Sequence, residues 1–298
     1  MNPLRNLPFL AISCIFTSLF LSLGPNPVLA SSNALSLKPR PILEDQAWNQ
    51  ESREGVDKKI EIFDEIREEE KRESEEEERE RVRLYCESWR FAVETNNLQS
   101  WKVVPIECGG FVKKYMSERG YRSDLEMVAE VAGAFARNVE LGQDGMDAWI
   151  FDIDETLLSN LVYYEENGFG LELFNGNKFD EWVDLAEAPA ISPFLKLYEE
   201  VLEMGFKVFL LTGRSESQRS TTIHNLQNSG FQNWDRLIMR GEADQGKSAV
   251  FYKSEKRMEM EKEGFRILGN SGDQWSDLLG SSMAIRSFKL PNPMYYIP

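Results

Sequence analysis

The sequence has very little histidine, and this scarcity excludes several kinds of active site. The single histidine, His224, cannot supply the several imidazole ligands that many dinuclear metal sites need. It lies in a polar run, Arg219–Asn225, which favours an ordinary surface position over a nucleophilic role. A G-x-x-x-x-G-K-S/T loop is also absent, which argues against a P-loop nucleotide hydrolase. Chemistry built on histidine or on a P-loop is therefore not expected.

Positive charge is also in short supply. The chain has 34 Lys and Arg residues against 50 Asp and Glu residues, a formal net charge of −16. Such a surface repels polyanions, so neither nucleic acid nor an anionic membrane is an expected partner. Much of the excess lies in Glu54–Arg83, where Ile60, Phe63 and Ile66 have helical spacing but Glu68–Arg81 has no apolar residue. This acidic arm is predicted to be either a solvated helix or disordered, and a role in binding a partner is a further alternative.

The first 30 residues have the pattern of a signal peptide. Arg5 provides a positive start, Leu7–Leu23 is nearly all apolar or hydroxyl-bearing, and Val28-Leu29-Ala30 forms a small-residue cleavage site. A transmembrane anchor is the alternative, but the run is short and Gly24 interrupts it. We therefore predict cleavage near Ala30, secretion, and no membrane segment in the mature chain. The polar stretch 31–53 is predicted to be a linker that leads into the acidic arm.

Cysteine is scarce as well, with three residues in the chain. Cys14 falls within the predicted signal peptide, which leaves Cys86 and Cys108 in the mature protein. An even pair in an oxidising compartment predicts one disulfide bond, although two free buried thiols are the alternative.

Two carboxylates follow an apolar run in the middle of the chain. Ala148-Trp149-Ile150 leads directly into Phe151-Asp152-Ile153-Asp154-Glu155-Thr156. At the carboxyl end of a buried strand, Asp152 and Asp154 would project near one crevice. Phosphoryl transfer through an Asp nucleophile needs such a pair, because one carboxylate attacks phosphorus and the other moves a proton at the leaving group.

A second apolar run, Phe206–Leu211, ends in Thr212-Gly213-Arg214 before a helical stretch. The Thr212 hydroxyl and the backbone N–H groups around Gly213 would form a cradle for phosphate oxygens.

Further along the chain come Lys253 and then a third strand-like run, Phe265–Gly269, that is followed by Asp273 and Asp277. All of these polar residues are predicted at strand ends, where ligands bind in open α/β sheets.

This order of motifs resembles that of the haloacid dehalogenase-like (HAD-like) superfamily. Within it, F-D-I-D-E-T-L-L-S-N, L-L-T-G-R, Y-K-S, G-D-Q-W-S-D-L and the closing F-K-L-P-N-P-M-Y-Y-I are similar to the plant acid phosphatase and vegetative storage protein family. The resemblance runs from about Cys86 to the C-terminus. It does not cover the segment from Ser31 to Arg83.

The resemblance implies a role for each motif residue. Asp152 would be the nucleophile and Asp154 the general acid and base. Thr212, Gly213 and Lys253 would bind the transferring phosphoryl group.

A Mg²⁺ site is implied as well, formed by the Asp152 carboxylate, the Asp154 carbonyl and Asp273. Mg²⁺ suits such a site because it prefers a few oxygen ligands and keeps several waters. Asp277 would either bind the ion directly or, as we favour, accept hydrogen bonds that order Lys253 or a metal-bound water.

Strand-like runs near residues 149, 208, 238, 267 and 288 alternate with helical ones, which predicts a parallel sheet covered on both faces. The resemblance implies that this α/β core is a doubly wound, Rossmann-like HAD domain over residues 84–298, with a small helical cap at about 160–205. Tyr163, Tyr164 and Phe169 are candidates to line its entrance, with ordinary packing the favoured alternative. A capping box at Ser123–Glu126 predicts a helix that begins there and runs to about residue 140.

The function expected from these observations is a Mg²⁺-dependent acid phosphatase, secreted to the cell wall or delivered to the vacuole. It would hydrolyse small phosphomonoesters through an aspartyl-phosphate intermediate. A vegetative storage protein with vestigial catalysis is the main alternative, and the sequence leaves a homodimer open.

Overall fold

The computed structural model describes residues 46–298, with side chains from residue 54 onward. The predicted signal peptide, residues 1–30, and residues 31–45 of the predicted linker lie outside the described residues. Helix α1 already begins at Gln46, so the last part of the segment predicted as a linker is helical. The structure divides after Asp64, and the unit Glu65–Pro298 contains the whole β-sheet.

Nine α-helices and five strands lie within residues 46–298. In chain order they are α1 (Gln46–Glu94), α2 (Gly109–Ser117), α3 (Arg119–Asn138), β1 (Asp147–Phe151), α4 (Leu161–Glu166), α5 (Gly176–Leu185), α6 (Ser192–Glu203), β2 (Lys207–Ser215), α7 (Arg219–Asn228), β3 (Arg236–Arg240), α8 (Ala249–Lys262), β4 (Arg266–Gly272), α9 (Trp275–Leu278) and β5 (Arg286–Lys289).

The five strands form one parallel sheet in the order β3-β2-β1-β4-β5. This arrangement confirms the predicted doubly wound core. The chain leaves β1 toward β2 on one side and returns to β4 on the other, so the strand order reverses between β1 and β4. In such sheets the crossovers diverge at this point and open a crevice beyond the carboxyl ends of the two strands.

Strand β1 lies at the centre of the sheet because all five of its residues can be buried. Trp149 and Phe151 point into the larger hydrophobic core, which α3 and α6 help to cover. Ala148 and Ile150 point to the opposite face and join a smaller core. Helix α8 packs against β2 and β4 on that face. Each large side chain buried in this way contributes about 1.5–3 kcal/mol, so the strand is held from both sides.

The acidic arm is helical, which decides between the two alternatives drawn from the sequence. Helix α1 runs without interruption through residues 68–81, and every side chain in that stretch is exposed. Ile60, Phe63 and Ile66 are exposed as well. Burial begins near the end of α1, where the predicted disulfide joins Cys86 to Cys108. No helix within residues 46–298 is long and apolar enough to cross a membrane.

One predicted helix start differs from the structure. Helix α3 begins at Arg119, so the predicted capping box at Ser123–Glu126 lies inside the helix. The reason is that Tyr121 and Leu125 bury one face of the first turns, and this packing extends the helix toward its N-terminus. Helix α6 begins at Ser192, and Pro193 occupies its first turn, where the missing N–H of proline is tolerated.

The insertion between β1 and β2 contains α4, α5 and α6. From α4, α5 and the loop between them, Tyr164, Phe174, Gly176, Phe179 and Asp180 line a large cavity. Helix α6 instead packs against α3 and β2, as a crossover helix of the core does. Within the predicted cap range of 160–205, residues of α4, α5 and the loop between them line the cavity and residues of α6 do not, and the extent of the cap stays a prediction.

Candidate active site

The functional residues of the predicted motifs meet beyond the carboxyl ends of β1 and β4. Asp152 is the first residue after β1, and Asp273 follows β4. Asp277 lies on the short helix α9, which Gln274 precedes. Lys253 lies in the second turn of α8. The strand-end position predicted for it is therefore wrong, although its side chain reaches the same site.

Lys253 forms the centre of the charged floor of this site. Its Nζ atom donates to Asp152 Oδ1 and to Asp277 Oδ1, both at 2.5 Å. All three side chains are buried. Burial alone would lower the pKa of Lys253, but the two carboxylates raise it, so the ammonium stays charged. The contact of Asp277 with Lys253 is one of the two roles that the sequence left open for this acid.

The same floor carries more negative charge than Lys253 can neutralise. Carboxylate oxygens of Asp152, Asp273 and Asp277 lie within 4.8 Å of one another. If all three carboxylates were ionised, the single ammonium would leave an excess of two negative charges in a buried space. Burial, together with the repulsion from Asp277, accordingly raises the pKa of Asp152 despite Lys253, and the same two causes raise the pKa of Asp273 to about 8.

A divalent cation fits this donor set. Asp273 Oδ1 is buried and has no hydrogen-bond partner, whereas Oδ2 accepts from the side chains of Gln274 and Asn292. Burying a carboxylate oxygen without a hydrogen-bond partner costs free energy unless a bound cation interacts with it. Hard oxygen donors carrying two excess negative charges suit Mg²⁺.

Asp154 is held apart from the other acids by an ion pair. Arg214 donates to it through Nε at 3.1 Å and through Nη2 at 2.7 Å, and Asn160 Nδ2 donates at 2.9 Å. Burial alone would raise the pKa of Asp154, but the Arg214 guanidinium holds it below its usual value. The sequence motifs predict no role for Arg214, although its position directly after Thr212-Gly213 is a signal that it reaches the same crevice.

Thr212 and Gly213 end up in different environments. Gly213 lines the cavity, and a Cβ at this position would meet nothing within 4 Å. Thr212 is fully buried, its hydroxyl accepts from the Arg214 N–H at 3.1 Å, and it is not among the residues that line the cavity. The phosphate-binding role assigned to Thr212 therefore stays a prediction.

A cavity of about 480 Å³ lies above this floor and is walled by aromatic side chains. Tyr164 and Tyr295 stack with their ring planes 19° apart, and Phe174 packs against Phe179. Of the three aromatic residues suggested for the entrance, only Tyr164 lines the cavity, and all three are buried. The cavity therefore combines an acidic floor, which would suit a phosphate group once a divalent cation is bound, with an apolar wall for the rest of a substrate.

Glu155 connects this aromatic wall to the loop after β1. It adopts φ of 52°, which turns the chain sharply and buries its carboxylate. The carboxylate accepts from the Asn160 N–H at 2.6 Å and from the Tyr295 hydroxyl at 2.5 Å. Burial, with the charge of Asp154 nearby, raises the pKa of Glu155 to about 7. Nothing in the sequence pattern predicts this contact, because Tyr295 lies 140 residues away along the chain.

Comparison with known proteins agrees with this architecture. Residues 70–298 match the model of the HAD superfamily, subfamily IIIB (Acid phosphatase). Acid phosphatase 1 of Solanum lycopersicum is 61% identical over 73% of this chain and 85% of its own length. Vegetative storage protein 1 of Arabidopsis thaliana is 36% identical over 72% of this chain and 79% of its own length.

A solved structure supports the fold independently. The class C acid phosphatase from Bacillus anthracis superposes with a TM-score of 0.54 at 19% identity, over 63% of this chain and 85% of that one. With the family match, these findings show that the chain belongs to subfamily IIIB of the HAD superfamily, the acid phosphatases.

Proposed function

We propose that this protein is a Mg²⁺-dependent acid phosphatase that hydrolyses small phosphomonoesters through an aspartyl-phosphate on Asp152. The observation that carries the proposal is the arrangement of Lys253 between Asp152 and Asp277, beside the free Oδ1 atom of Asp273. We further propose that the mature protein acts outside the cell or in the vacuole, after removal of residues 1–30.

In the first step, a carboxylate oxygen of Asp152 attacks phosphorus and the bond from phosphorus to the ester oxygen breaks. Lys253 fixes the orientation of Asp152 and offers positive charge to the phosphoryl oxygens. Asp154 donates its proton to the departing oxygen. In the second step, Asp154 takes a proton from water, and the water oxygen attacks phosphorus and releases Asp152 and inorganic phosphate.

The Asp152 carboxylate, the Asp154 carbonyl and Asp273 would hold Mg²⁺. When bound, the ion would neutralise negative charge on the phosphoryl oxygens, which protein groups alone cannot do at this acidic floor. The low pKa of Asp154 supports turnover on the acid side of neutrality, since the proton that this residue must donate is present in a larger fraction of molecules at low pH.

The proposal is tested by measuring hydrolysis of p-nitrophenyl phosphate by the purified protein. Activity should appear on the acid side of neutrality, disappear in EDTA and return with Mg²⁺. Ca²⁺ should restore it poorly, because its larger and looser coordination shell misplaces the nucleophile. Asp152→Asn is the matched control, because it removes the nucleophile with almost no change in side-chain volume.

The competing function is storage of amino acids without effective catalysis, which the similarity to Vegetative storage protein 1 supports. A storage role alone predicts a folded protein with no metal-dependent turnover. If wild type and Asp152→Asn hydrolyse the substrate equally slowly from about pH 4 to 8 with Mg²⁺ present, the phosphatase proposal is wrong.

A further inference from the structure

The two carboxylate oxygens of Asp273 differ in their hydrogen bonds. Oδ2 accepts from Gln274 Nε2 and from Asn292 Nδ2, each at 2.7 Å, while Oδ1 has no partner. The last torsion of an Asp side chain is broadly distributed, so the residue itself does not fix the plane of its carboxylate. The two donors on Oδ2 fix that plane and leave the other oxygen without a hydrogen bond.

Asn292 is held so that its amide group can point only one way. Its Oδ1 atom accepts from the Met294 N–H at 2.9 Å, which directs Nδ2 toward Asp273. Its own backbone N–H donates to Glu94 Oε1 at 2.9 Å, and the residue is 2% exposed. The hydrogen-bond network thus fixes the orientation of the amide, which the positions of its heavy atoms alone would leave open.

Gln274, the other donor, divides its hydrogen bonds among several groups. Its Nε2 atom also reaches the Tyr295 carbonyl at 3.3 Å, and its Oε1 atom accepts from the Ile297 N–H at 3.0 Å. Gln274 therefore also anchors the C-terminal segment. Within the described residues, the Nδ2 atom of Asn292 has no acceptor other than Asp273, so Asn292 is the donor dedicated to this carboxylate.

From this geometry we infer that Asn292 is a positioning residue of the divalent-cation site, and that it holds Asp273 with Oδ1 free to bind the ion. The inference rests on the proposed metal-dependent function. Asp273 faces repulsion from Asp277 in the metal-free site, and without the Asn292 donor it could rotate away from it. Asn292 removes that freedom before the ion arrives, so less free energy is lost on binding.

The test compares two substitutions at Asn292 by direct titration with Mn²⁺, without substrate. Asn292→Ser keeps a hydroxyl that can accept from the Met294 N–H but is too short to reach Asp273. Asn292→Ala removes both contacts. Electron paramagnetic resonance of free Mn²⁺ gives the dissociation constant. Both variants should raise it by about 10- to 100-fold relative to wild type, the range typical for residues that orient metal ligands.

Asn225 provides a matched control because it is an equally buried amide away from the acids. It is 2% exposed, and its Nδ2 atom donates to the Ala188 carbonyl at 2.7 Å. Asn225→Ser should lower the melting temperature as Asn292→Ser does but leave the Mn²⁺ dissociation constant unchanged. High Mg²⁺ should also restore much of the turnover of Asn292→Ser and none of that of Asp152→Asn.

The results of the titrations distinguish failure of the positioning role of Asn292 from failure of the metal-dependent function. If wild type binds Mn²⁺ but Asn292→Ser binds it equally tightly, the positioning role is wrong and the proposed phosphatase is unaffected. If Asn225→Ser weakens binding as much as Asn292→Ser, the effect is one of general stability and the positioning role is again wrong. If wild type binds neither Mn²⁺ nor Mg²⁺, both the positioning role and the metal-dependent function are wrong.

Discussion

The ion pair between Arg214 and Asp154 should make the stability of the protein depend on pH in a specific way. The side chains of Arg214 and Asp154 are 3% and 20% exposed, and the guanidinium donates to both carboxylate oxygens. The perturbation is Arg214→Met, which removes the charge but keeps much of the side-chain volume. The variant leaves Asp154 buried and ionised at neutral pH without its main partner.

The magnitude follows from that burial. Removing one partner of a buried ion pair costs about 3–5 kcal/mol. Asp154 keeps its hydrogen bond from Asn160 and some contact with solvent, so we expect roughly 3 kcal/mol at neutral pH. Once Asp154 is protonated the unpaired charge is gone, and the remaining loss of packing and of hydrogen bonds should be about 1 kcal/mol.

The direction of the pH dependence follows from the pKa of Asp154. In wild type this pKa lies below its usual value, so the pair stabilises the protein above the pKa of the unfolded chain, about 4, and that contribution is lost as pH falls. In Arg214→Met, burial without the guanidinium raises the pKa, so ionised Asp154 destabilises the variant as pH rises. The difference in the free energy of unfolding should therefore grow from about pH 4 to pH 7.

Urea denaturation in EDTA, followed by circular dichroism at several pH values, measures this difference. EDTA is needed because a bound ion near Asp154 would add its own pH dependence. Asp154→Asn serves as the control background, in which Arg214→Met should show a difference that does not change with pH. With Asp154 present, Arg214→Met should lower the free energy of unfolding by an amount that depends on pH. If that amount is also independent of pH, Arg214 does not determine the ionisation of Asp154 and the prediction is wrong.

Two further predictions concern stability away from the acids. The disulfide between Cys86 and Cys108 joins residues 22 apart in sequence. Replacing both by Ala should lower the free energy of unfolding by about 3 kcal/mol and leave turnover below the melting temperature unchanged. Detection of both free thiols in the native protein by mass spectrometry would contradict this prediction. Gly269→Ala would place a Cβ against the Trp149 ring and should destabilise by about 1–3 kcal/mol in urea. Gly110→Ala, where a Cβ meets nothing within 4 Å, is the control and should be neutral or stabilising.

The sequence predicts the sheet and the acids well because both depend on local patterns. A short buried strand is recognisable from a run such as Ala148–Phe151, and the residue after it must lie at the carboxyl edge of the sheet. The sequence therefore predicts that Asp152 and Asp273, which follow β1 and β4, lie at one edge of the sheet. Their convergence requires parallel strands, which the alternation of strands and helices implied, and the adjacency of β1 and β4, which it did not.

The remaining parts of the site depend on contacts that no local pattern encodes. Lys253 reaches the acids from a helix, so its place depends on how α8 packs on the sheet. Asn292 and Tyr295 arrive with the C-terminal segment, and they contact Asp273 and Glu155 across large separations in sequence. A single sequence does not reveal such pairs, because a hydrogen bond between side chains far apart in the chain leaves no periodic pattern of residue types.

The choice between enzyme and storage protein can be argued from the energetics of the site itself. Asp152, Asp273 and Asp277 crowd around one ammonium, and their burial and mutual repulsion raise the pKa of Asp152 and Asp273. Such a cluster costs stability in the empty protein, since well-packed apolar side chains would be neutral or better in its place. A protein kept only as a store of amino acids gains nothing from that cost. A phosphatase would gain, because the same crowding would favour the binding of a divalent cation beside the proposed nucleophile.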